Sequence, residues 1–292
     1  MPDSRPPSAT PHVALIGFGE AGSTFARAAG WEDGATAFDT DPARAQVMDD
    51  CGVTAAADRA AALAGTQVVL SLVTADQAIA AAEQCAPHMA PGTLWCDMNS
   101  VAPDTKRAAA RAVEAAGGRY VDVAVMAPVD PARLNVPLLI AGPDADDAMA
   151  ALNALGFAKT RVVGDTIGQA SAIKLCRSIM VKGLEALTAE MVLAASSAGV
   201  LDEVLASLDS SEKQVSWSER ADYNLDRMML HGRRRAAEMA EACAMLRDLG
   251  IAPAMTENTV TLQQGIGSLG VRPLPDTLTG KIAAIQGREY QS

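Results

Sequence analysis

Short apolar, β-branched runs alternate with alanine-rich segments along the first half of the chain. Such runs fit buried parallel strands, and the segments between them fit crossover helices. The predicted strands are 13–16, 35–38, 68–73, 93–97, 120–125, 137–141 and 161–163. The predicted helices between them are 23–29, 42–51, 55–64, 77–85, 103–116 and 145–155. The pattern predicts an α/β fold built on a doubly wound sheet.

The alternation of predicted strands and helices stops at Gly164. From residue 166 to 198 there is no proline and, past the first turn, only one glycine, Gly183. This interval predicts one helix of roughly 30 residues, about 45 Å long. We expect a loose tail over 1–10, the α/β domain over 11–164 and an all-helical domain over 165–292.

Three glycines follow the first predicted strand at G-x-G-x-x-G spacing, and a helix follows them. In such a turn the first glycine allows the tight bend, the second lets the backbone approach a pyrophosphate, and the third lets helix and strand pack closely. The phosphates lie on the free N–H groups of the helix. The alternative is a purely structural glycine turn. The predicted cofactor-binding residues of the turn are Gly17, Phe18, Gly19, Glu20, Ala21 and Gly22.

Polar residues at the ends of later strands extend this prediction. Asp39 closes the second strand about 20 residues past the glycines, where an acidic side chain hydrogen-bonds the ribose 2′-OH. This favours NAD, although Arg44 is near enough to reach the 2′-phosphate of NADP. Thr74, Asn99 and Ser100 also follow strands, where loops line the cofactor crevice. Thr74 has the equal alternative of capping the next helix.

The charge and cysteine content of the chain argue against several classes of binding partner. The formal net charge of −11 disfavours non-specific binding to nucleic acid or anionic membranes. The five cysteines are scattered, and neither a C-x-x-C motif nor a Cys/His cluster with metal-ligand spacing occurs. We therefore expect a reduced, cytoplasmic protein without a metal site. No apolar run reaches 18 residues, so no membrane span is expected.

A polar stripe lies on the predicted long helix. Lys174, Ser178 and Lys182 recur at i, i+4 and i+8 and therefore share a face, with Arg177 beside them. The stripe faces either a cleft or solvent, and the spacing alone leaves both open.

A second candidate group is His231 with the arginines that follow it, including Arg234. The sequence around His231 looks like a helix start. The group either binds an anionic or hydroxylated substrate in the active site of a partner subunit or belongs to an ordinary polar surface.

The motifs at 17–22, 97–103, 121–125 and 168–174 occur in an order that resembles the β-hydroxyacid dehydrogenase superfamily, which includes 6-phosphogluconate and 3-hydroxyisobutyrate dehydrogenases. The resemblance covers most of the chain. Segments 126–129 and 231–239 resemble a phosphogluconate-dehydrogenase-like branch with its own C-terminal domain type. The resemblance implies a Rossmann domain, a helical domain that forms the dimer, and oxidation of a hydroxyl group by a nicotinamide cofactor. It also implies that Lys174 is the catalytic lysine, which exchanges the hydroxyl proton.

The sequence departs from the family at three places, and at one of them the family's later Lys-Asp pair has only Arg234, Arg235 and Glu238 as its nearest equivalents. Ser178 stands where the family usually has an asparagine that orients the substrate. Met126-Ala127-Pro128 stands where the family has Ser-Gly-Gly, whose backbone N–H groups hold the substrate carboxylate, and Pro128 has no N–H. The resemblance therefore predicts the type of reaction better than it predicts the substrate. The residues predicted to bind substrate are Asn99, Ser100, Met126, Ala127, Pro128, Arg177, Lys182, His231 and Arg234.

Three functions remain open at this point. The first is an NAD(P)-dependent dehydrogenase or reductase of a small hydroxy acid, with Lys174 as general acid/base and Ser178 beside it. The second is an imine reductase, a family of the same architecture in which the lysine is often replaced. The third is a dinucleotide-binding protein without catalysis. A homodimer through the helical domain is expected in each case, because a long apolar helix needs packing cover.

Overall fold

The computed structural model describes residues 11–31, 34–211 and 215–287. The predicted tail at 1–10 lies outside these residues. Within them, eight strands form one sheet. The strands are β1 Val13–Ile16, β2 Ala35–Phe38, β3 Thr54–Ala55, β4 Val68–Ser71, β5 Leu94–Asp97, β6 Arg119–Val125, β7 Leu138–Ala141 and β8 Thr160–Gly164.

Helices connect these strands and continue to the end of the described chain. Those that accompany the sheet are α1 Glu20–Ala29, α2 Arg44–Asp50, α3 Arg59–Leu63, α4 Ala78–Cys85, α5 Pro103–Ala115, α6 Val129–Ala132 and α7 Ala145–Ala154. Those that follow it are α8 Gln169–Ser197, α9 Leu201–Ser211, α10 Trp217–Asp248, α11 Ala254–Ser268 and α12 Leu278–Gln286. The predicted α/β architecture followed by helices is confirmed.

The strand order is β3-β2-β1-β4-β5-β6-β7-β8, and the strands from β3 to β6 are parallel. Their carboxyl ends therefore meet at one edge of the sheet. β7 runs antiparallel to β6, and β8 runs parallel to β7. The connection from β6 to β7 contains only the four-residue α6 and a 3₁₀ turn instead of a full crossover helix, so the chain reverses direction there.

Both faces of the sheet are covered, which explains its continuous apolar strands. Residues of α1, α2 and α7 pack with one set of strand side chains, and residues of α3, α4 and α5 pack with the other set. Along β1, Val13 and Leu15 face the first layer, while Ala14 and Ile16 face the second. Burial on both sides is typical of a doubly wound sheet.

Two predicted helices begin or continue differently in the structure. The first begins at Glu20, within the G-x-G-x-x-G motif, and not at residue 23. The segment predicted as a helix over 55–64 begins with the edge strand β3, which pairs with β2, and the helix starts only at Arg59. Asp58 explains this start, because its carboxylate accepts a hydrogen bond from the N–H of Ala61 at 2.8 Å. The alanine periodicity did not predict β3, because this strand forms only through its pairing with β2.

Packing divides the chain into two units, which we call the first unit, through Ser178, and the second unit, from Ile179. The first turns of α8 therefore pack with the sheet. The boundary near Gly164 that the sequence suggests stays a prediction. None of the described helices combines the length and apolar character that a bilayer crossing requires.

Polar contacts inside the second unit join its helices. Lys281 of α12 is buried and pairs with Asp222 and Asp226 of α10, at 2.7 and 3.0 Å. Glu190 of α8 accepts hydrogen bonds from the N–H groups of Met255 and Thr256, at 2.9 and 3.0 Å, and from the Thr256 hydroxyl. These bonds satisfy amides at the start of α11, which otherwise lack acceptors.

Candidate functional site

The glycine turn requires glycine at two of its positions. Gly17 has a φ of +92°, and a Cβ atom there would lie 2.6 Å from the carbonyl oxygen of Leu72. A Cβ atom on Gly22 would lie 2.9 Å from the carbonyl oxygen of Gly17. Neither contact is sterically possible, so the first and third glycines hold the loop, β4 and α1 close together.

The start of α1 offers free backbone donors. Its first amides, at Glu20, Ala21 and Gly22, have no acceptor within the helix, and Gly19 before them has no side chain to cap it. A Cβ atom at Gly19 would meet no atom within 4 Å, so the approach to these amides is open. The turn therefore fits a pyrophosphate on the positive end of α1.

Asp39 is joined to this turn directly. Its Oδ2 accepts a hydrogen bond from the N–H of Phe18 at 2.6 Å, and its Oδ1 accepts one from the N–H of Asp41 at 2.9 Å. The ring of Phe18 is fully buried, so Phe18 anchors the turn from below. Each carboxylate oxygen can accept a second hydrogen bond, which leaves Asp39 able to bind ribose hydroxyls.

One cavity of about 300 Å³ brings several predicted cofactor residues together. Gly17, Gly19, Asp39 and Thr74 all line it. Thr74 does not cap the next helix with its side chain. Arg59 of α3 also lines this cavity, and sequence reasoning missed it because nothing in its local sequence separates it from any other arginine at a helix start.

Asn99 lies at the ends of β4 and β5. Its side-chain amide donates to the hydroxyl of Ser71 at 2.9 Å, and its backbone N–H donates to Asp97 Oδ1 at 2.9 Å. Its Oδ1 is buried and has no hydrogen-bond partner in the described structure. An orphaned acceptor at this edge fits a hydroxyl or amide donor of a bound dinucleotide. Ser100, the next residue, is exposed.

A buried ionic cluster lies beside Asn99. Lys106 Nζ contacts Asp97 Oδ1 at 2.9 Å and Asp122 Oδ1 at 3.3 Å, and all three side chains are fully buried. The Tyr120 hydroxyl donates to Asp97 Oδ2 at 2.6 Å. Burial raises the pKa of Tyr120 far above its ordinary value, and the neighbouring carboxylate raises it further, so the hydroxyl stays protonated.

Asp122 connects this cluster to the start of α8. Its Oδ2 accepts from the N–H groups of Gly168 and Ser171, at 3.1 and 3.0 Å, and its Oδ1 accepts from the Ser171 hydroxyl at 2.6 Å. A carboxylate at a helix N-terminus satisfies orphan amides and complements the helix dipole. Lys174 follows Ser171 by three residues on the same helix, so Asp122 fixes the turn that precedes it.

Sequence reasoning also missed Asp97, Lys106 and Asp122 as parts of the site. The sequence did contain a signal for the two aspartates. Asp97 ends a run that is predicted to be a buried strand, and Asp122 lies inside another such run. Ionised side chains in such positions need a partner of opposite charge. The partner itself is nine residues from Asp97, on α5, and only the fold shows that it is Lys106.

The polar stripe of α8 is partly described. Lys174 and Ser178 are half-buried and Arg177 is exposed. Lys182 lies in α8, but its side chain is outside the described residues. The pair Lys174 and Ser178 therefore occupies a partly covered face of the helix.

The loop after β6 has few backbone N–H groups left to bind a substrate. Met126 is half-buried, and its N–H donates to the carbonyl oxygen of Pro137 at 2.9 Å. Ala127 and Pro128 are exposed. Since Pro128 has no N–H, the amide of Ala127 is the remaining one in this three-residue segment.

His231 and Arg234 lie in the middle of a helix, and not at its start as the sequence suggests. They do not mark a helix start, because α10 begins at Trp217 and both residues lie inside it. His231 is half-buried and Arg234 is exposed. The helix continues past them because the segment contains no proline, and its one glycine, Gly232, faces α11, where an added Cβ atom would lie 2.9 Å from the Cα atom of Gly267. Both residues belong to the second unit.

A doubly wound sheet with this turn and an acidic residue after β2 defines a dinucleotide-binding domain of the Rossmann class. The family described as "NAD binding domain of 6-phosphogluconate dehydrogenase" matches residues 12–164, and a domain of unknown function, DUF1932, matches residues 195–266. The chain therefore belongs to the family that carries the 6-phosphogluconate dehydrogenase NAD-binding domain.

Solved structures show the same architecture. A conserved hypothetical protein from Sinorhizobium meliloti is 36% identical, with 97% of this chain and 98% of that chain covered and a TM-score of 0.62. A conserved protein of unknown function, described as similar to 3-hydroxyacid dehydrogenases, is 29% identical over 88% of this chain and 96% of that chain, with a TM-score of 0.59. An imine reductase from Streptomyces aurantiacus shares the fold at 21% identity, with 95% and 99% coverage and a TM-score of 0.71.

These findings confirm the predicted family, the Rossmann architecture and the nicotinamide cofactor. The chain is an NAD(P)-dependent oxidoreductase. The residues of the turn, Asp39 and the orphaned oxygen of Asn99 are chemically suited to that cofactor.

Proposed function

We propose that this protein interconverts a hydroxyl and a carbonyl group on a small hydroxy acid or a related substrate, with Lys174 as general acid/base. The observation that supports this most is the clamp between Asp122 and the start of α8. It holds the turn before Lys174, and this residue belongs to the same unit as the cofactor cavity. A proton-transfer group must be positioned in this way to act on a bound substrate.

In this proposal each side chain has a separate task. When bound, the nicotinamide accepts or supplies the hydride. During oxidation the amine of Lys174 takes the hydroxyl proton as the carbon loses hydride, and during reduction the ammonium group returns that proton to the carbonyl oxygen. Ser178, one turn further along α8, donates a hydrogen bond to the same oxygen. Arg177 adds positive charge close to the lysine.

The cofactor is proposed to lie along the edge of the sheet formed by the carboxyl ends of the strands. Backbone amides at the start of α1 hold the pyrophosphate, and Asp39 holds the adenosine ribose. Thr74 lines the same cavity, and the free oxygen of Asn99 accepts from the nicotinamide half. These assignments follow from the donors and acceptors that each residue has left after its contacts within the protein.

Substrate recognition in this proposal differs from the Ser-Gly-Gly pattern. The N–H of Met126 is occupied by Pro137, and Pro128 has none, so Ala127 is the single amide left in this segment. A substrate carboxylate would therefore need cationic side chains, for which Arg177, Lys182, His231 and Arg234 are the candidates. Asn99 and Ser100 supply neutral polar contacts.

The runner-up function is reduction of a carbon–nitrogen double bond. It is supported by the shared fold of the Streptomyces aurantiacus imine reductase. Retention of Lys174 favours the hydroxyl/carbonyl reaction, because the lysine is often replaced in imine reductases. A non-catalytic dinucleotide-binding protein is the third candidate, supported by the altered loop after β6 and by Ser178 in place of the family's asparagine.

A substrate screen separates these functions. The purified protein is mixed with NAD or NADP and a panel of small hydroxy acids, and with NADH or NADPH and a panel of keto acids and cyclic imines. Absorbance of the reduced nicotinamide reports turnover. Turnover of hydroxy acids supports the proposal, whereas turnover of cyclic imines alone contradicts it. Tight cofactor binding without any turnover favours the non-catalytic function.

The protein is further proposed to be a homodimer through its helical region. Among the described residues, the exposed large apolar side chains all lie at Ile173 or beyond, and Met180, Leu184, Leu187 and Leu193 belong to α8. An apolar cavity of about 580 Å³ also opens between α8 and the helices that follow it. Exposed apolar surface of this kind is typical of subunit interfaces. A cytoplasmic location is proposed from the five free cysteines, which fit a reducing compartment.

A further inference from the structure

Arg59 has an unusual environment in the cofactor cavity. It is the first residue of α3, and its guanidinium carbon lies 4.8 Å from the centre of the Phe38 ring. Its Nε is buried and has no hydrogen-bond partner in the described structure. One face of the guanidinium therefore rests on an aromatic ring, while a buried donor stays unsatisfied.

The charge of Arg59 is also uncompensated. Among the described residues, no carboxylate lies within ion-pairing distance of it. Arg44, which lines the same cavity, is different because it pairs with Asp41 at 3.6 Å. A guanidinium without an acidic partner at a cavity wall can stack a ligand on its second face.

The remaining walls favour a flat ring over a second anion. Val73 and Ala81 line the cavity with small apolar side chains, and Gln77 and Gln84 add amides that both donate and accept. Asp39 and Asp41 line it too, and their negative charge disfavours a phosphate group. A planar base can stack on the second face of the guanidinium, and the side-chain amides of Gln77 and Gln84 can bond the nitrogens at its edge.

We propose that Arg59 is the adenine-binding residue of this site, with its guanidinium stacked between the Phe38 ring and the adenine base of the cofactor. This role rests on cofactor binding alone and does not depend on the substrate proposed above. It predicts that Arg59 contributes equally to NADH and NADPH, because the two share the adenine ring. A residue that bound the 2′-phosphate would discriminate between them.

Titration of the protein's tryptophan fluorescence tests this role. The ligands are NADH, NADPH, ADP-ribose and reduced nicotinamide mononucleotide, which lacks adenine. Arg59→Met keeps much of the side-chain stem and removes the planar cation. We expect it to weaken NADH, NADPH and ADP-ribose about tenfold each, as loss of a desolvated cation–π contact implies. Binding of the mononucleotide should not change.

Two further variants secure the interpretation. Arg111→Met, at an exposed arginine of α5 that does not line the cavity, should change each affinity by less than about twofold. Arg59→Lys keeps the charge without the plane, and it should lose most of the affinity that Arg59→Met loses. A loss confined to NADPH, or unchanged ADP-ribose binding in both folded variants, would overturn the adenine role.

Discussion

The carboxylate of Asp122 accepts hydrogen bonds from both the backbone N–H and the hydroxyl of Ser171, at 3.0 and 2.6 Å. These two residues are 49 positions apart in the chain, one within β6 and the other in the first turn of α8. Their contact joins the sheet to the helix that carries Lys174. The same carboxylate also faces Lys106, so helix positioning and charge balance depend on one residue.

Replacement of Asp122 should therefore be costly. Asp122→Asn removes the charge opposite Lys106 and turns an amide N–H₂ group toward other donors. We expect the free energy of unfolding to fall by roughly 3 kcal/mol, as for other broken buried ion pairs. Urea denaturation measures this loss. Asp104→Asn, at an exposed carboxylate paired with Arg107, is the control and should cost less than about 0.5 kcal/mol. Equal losses in the two variants would contradict the proposed clamp.

Lys174 should control turnover and not cofactor affinity. With a substrate found in the screen, Lys174→Met should lower kcat by about 10²–10⁴-fold, which is the usual contribution of a positioned proton-transfer group. NADH affinity should change little. Lys174→Arg is the matched variant, because arginine keeps the charge but does not exchange a proton near neutral pH. If Lys174→Arg retains substantial turnover with an unchanged pH profile, the lysine has an electrostatic role instead.

The cofactor preference should follow Asp39. Its carboxylate suits the two ribose hydroxyls and repels a 2′-phosphate, so the wild-type protein should bind NADH more tightly than NADPH. Asp39→Ala should reduce the ratio of the two affinities by about tenfold, since hydrogen bonds to a charged group are lost for NADH and repulsion is relieved for NADPH. Fluorescence titration measures both. Equal or tighter binding of NADPH by the wild-type protein would show the predicted preference to be wrong.

The oligomeric state can be disrupted at α8. Light scattering at micromolar concentration should give the mass of a dimer for the wild-type protein. Leu184 is 53% exposed in the single chain, so Leu184→Glu should place a charge in the proposed interface and shift the mass toward a monomer. Arg111→Glu, on the exposed side of α5, should leave the dimer intact. A monomeric wild-type protein would remove the proposal.

Glu190 should make stability depend on pH. Burial raises the pKa of Glu190, but the hydrogen bonds from Thr256 and Met255 outweigh burial and place it below its ordinary value. A carboxylate with a lowered pKa in the folded state stabilises the protein above its unfolded pKa of about 4.3, and this contribution is lost as the pH falls through the folded-state pKa.

Glu190→Gln tests this linkage. The variant should be less stable than the wild type at pH 7, and the difference should shrink as the pH falls below the unfolded pKa of about 4.3, because the unfolded state then binds the proton first. Thermal unfolding at several pH values measures it. Glu83→Gln, at an exposed position of α4, should follow the wild-type curve throughout. A difference that stays constant down to pH 3 would mean that the charge of Glu190 is not responsible.

Local patterns determined the elements and the cofactor turn of this protein. Val13–Ile16 and Ala35–Phe38 were predictable because strands buried on both faces must be continuously apolar. Gly17 and Gly22 were predictable because a tight turn against a helix leaves no room for a Cβ atom. The long α8 followed from a stretch without proline. Each of these constraints acts between residues that are close in the sequence, so the local sequence is enough to predict it.

Only the tertiary structure decided which distant side chains meet. The direction of β7 depends on how the chain leaves β6, and the two-residue β3 exists because β2 offers it a free edge. Lys106 pairs with Asp97 and Asp122, and Arg59 packs on Phe38. The spacing of these residues in the sequence does not predict either contact. Burial makes these pairings necessary, because an ionised group removed from water needs a partner, but the fold alone chooses which partner it is.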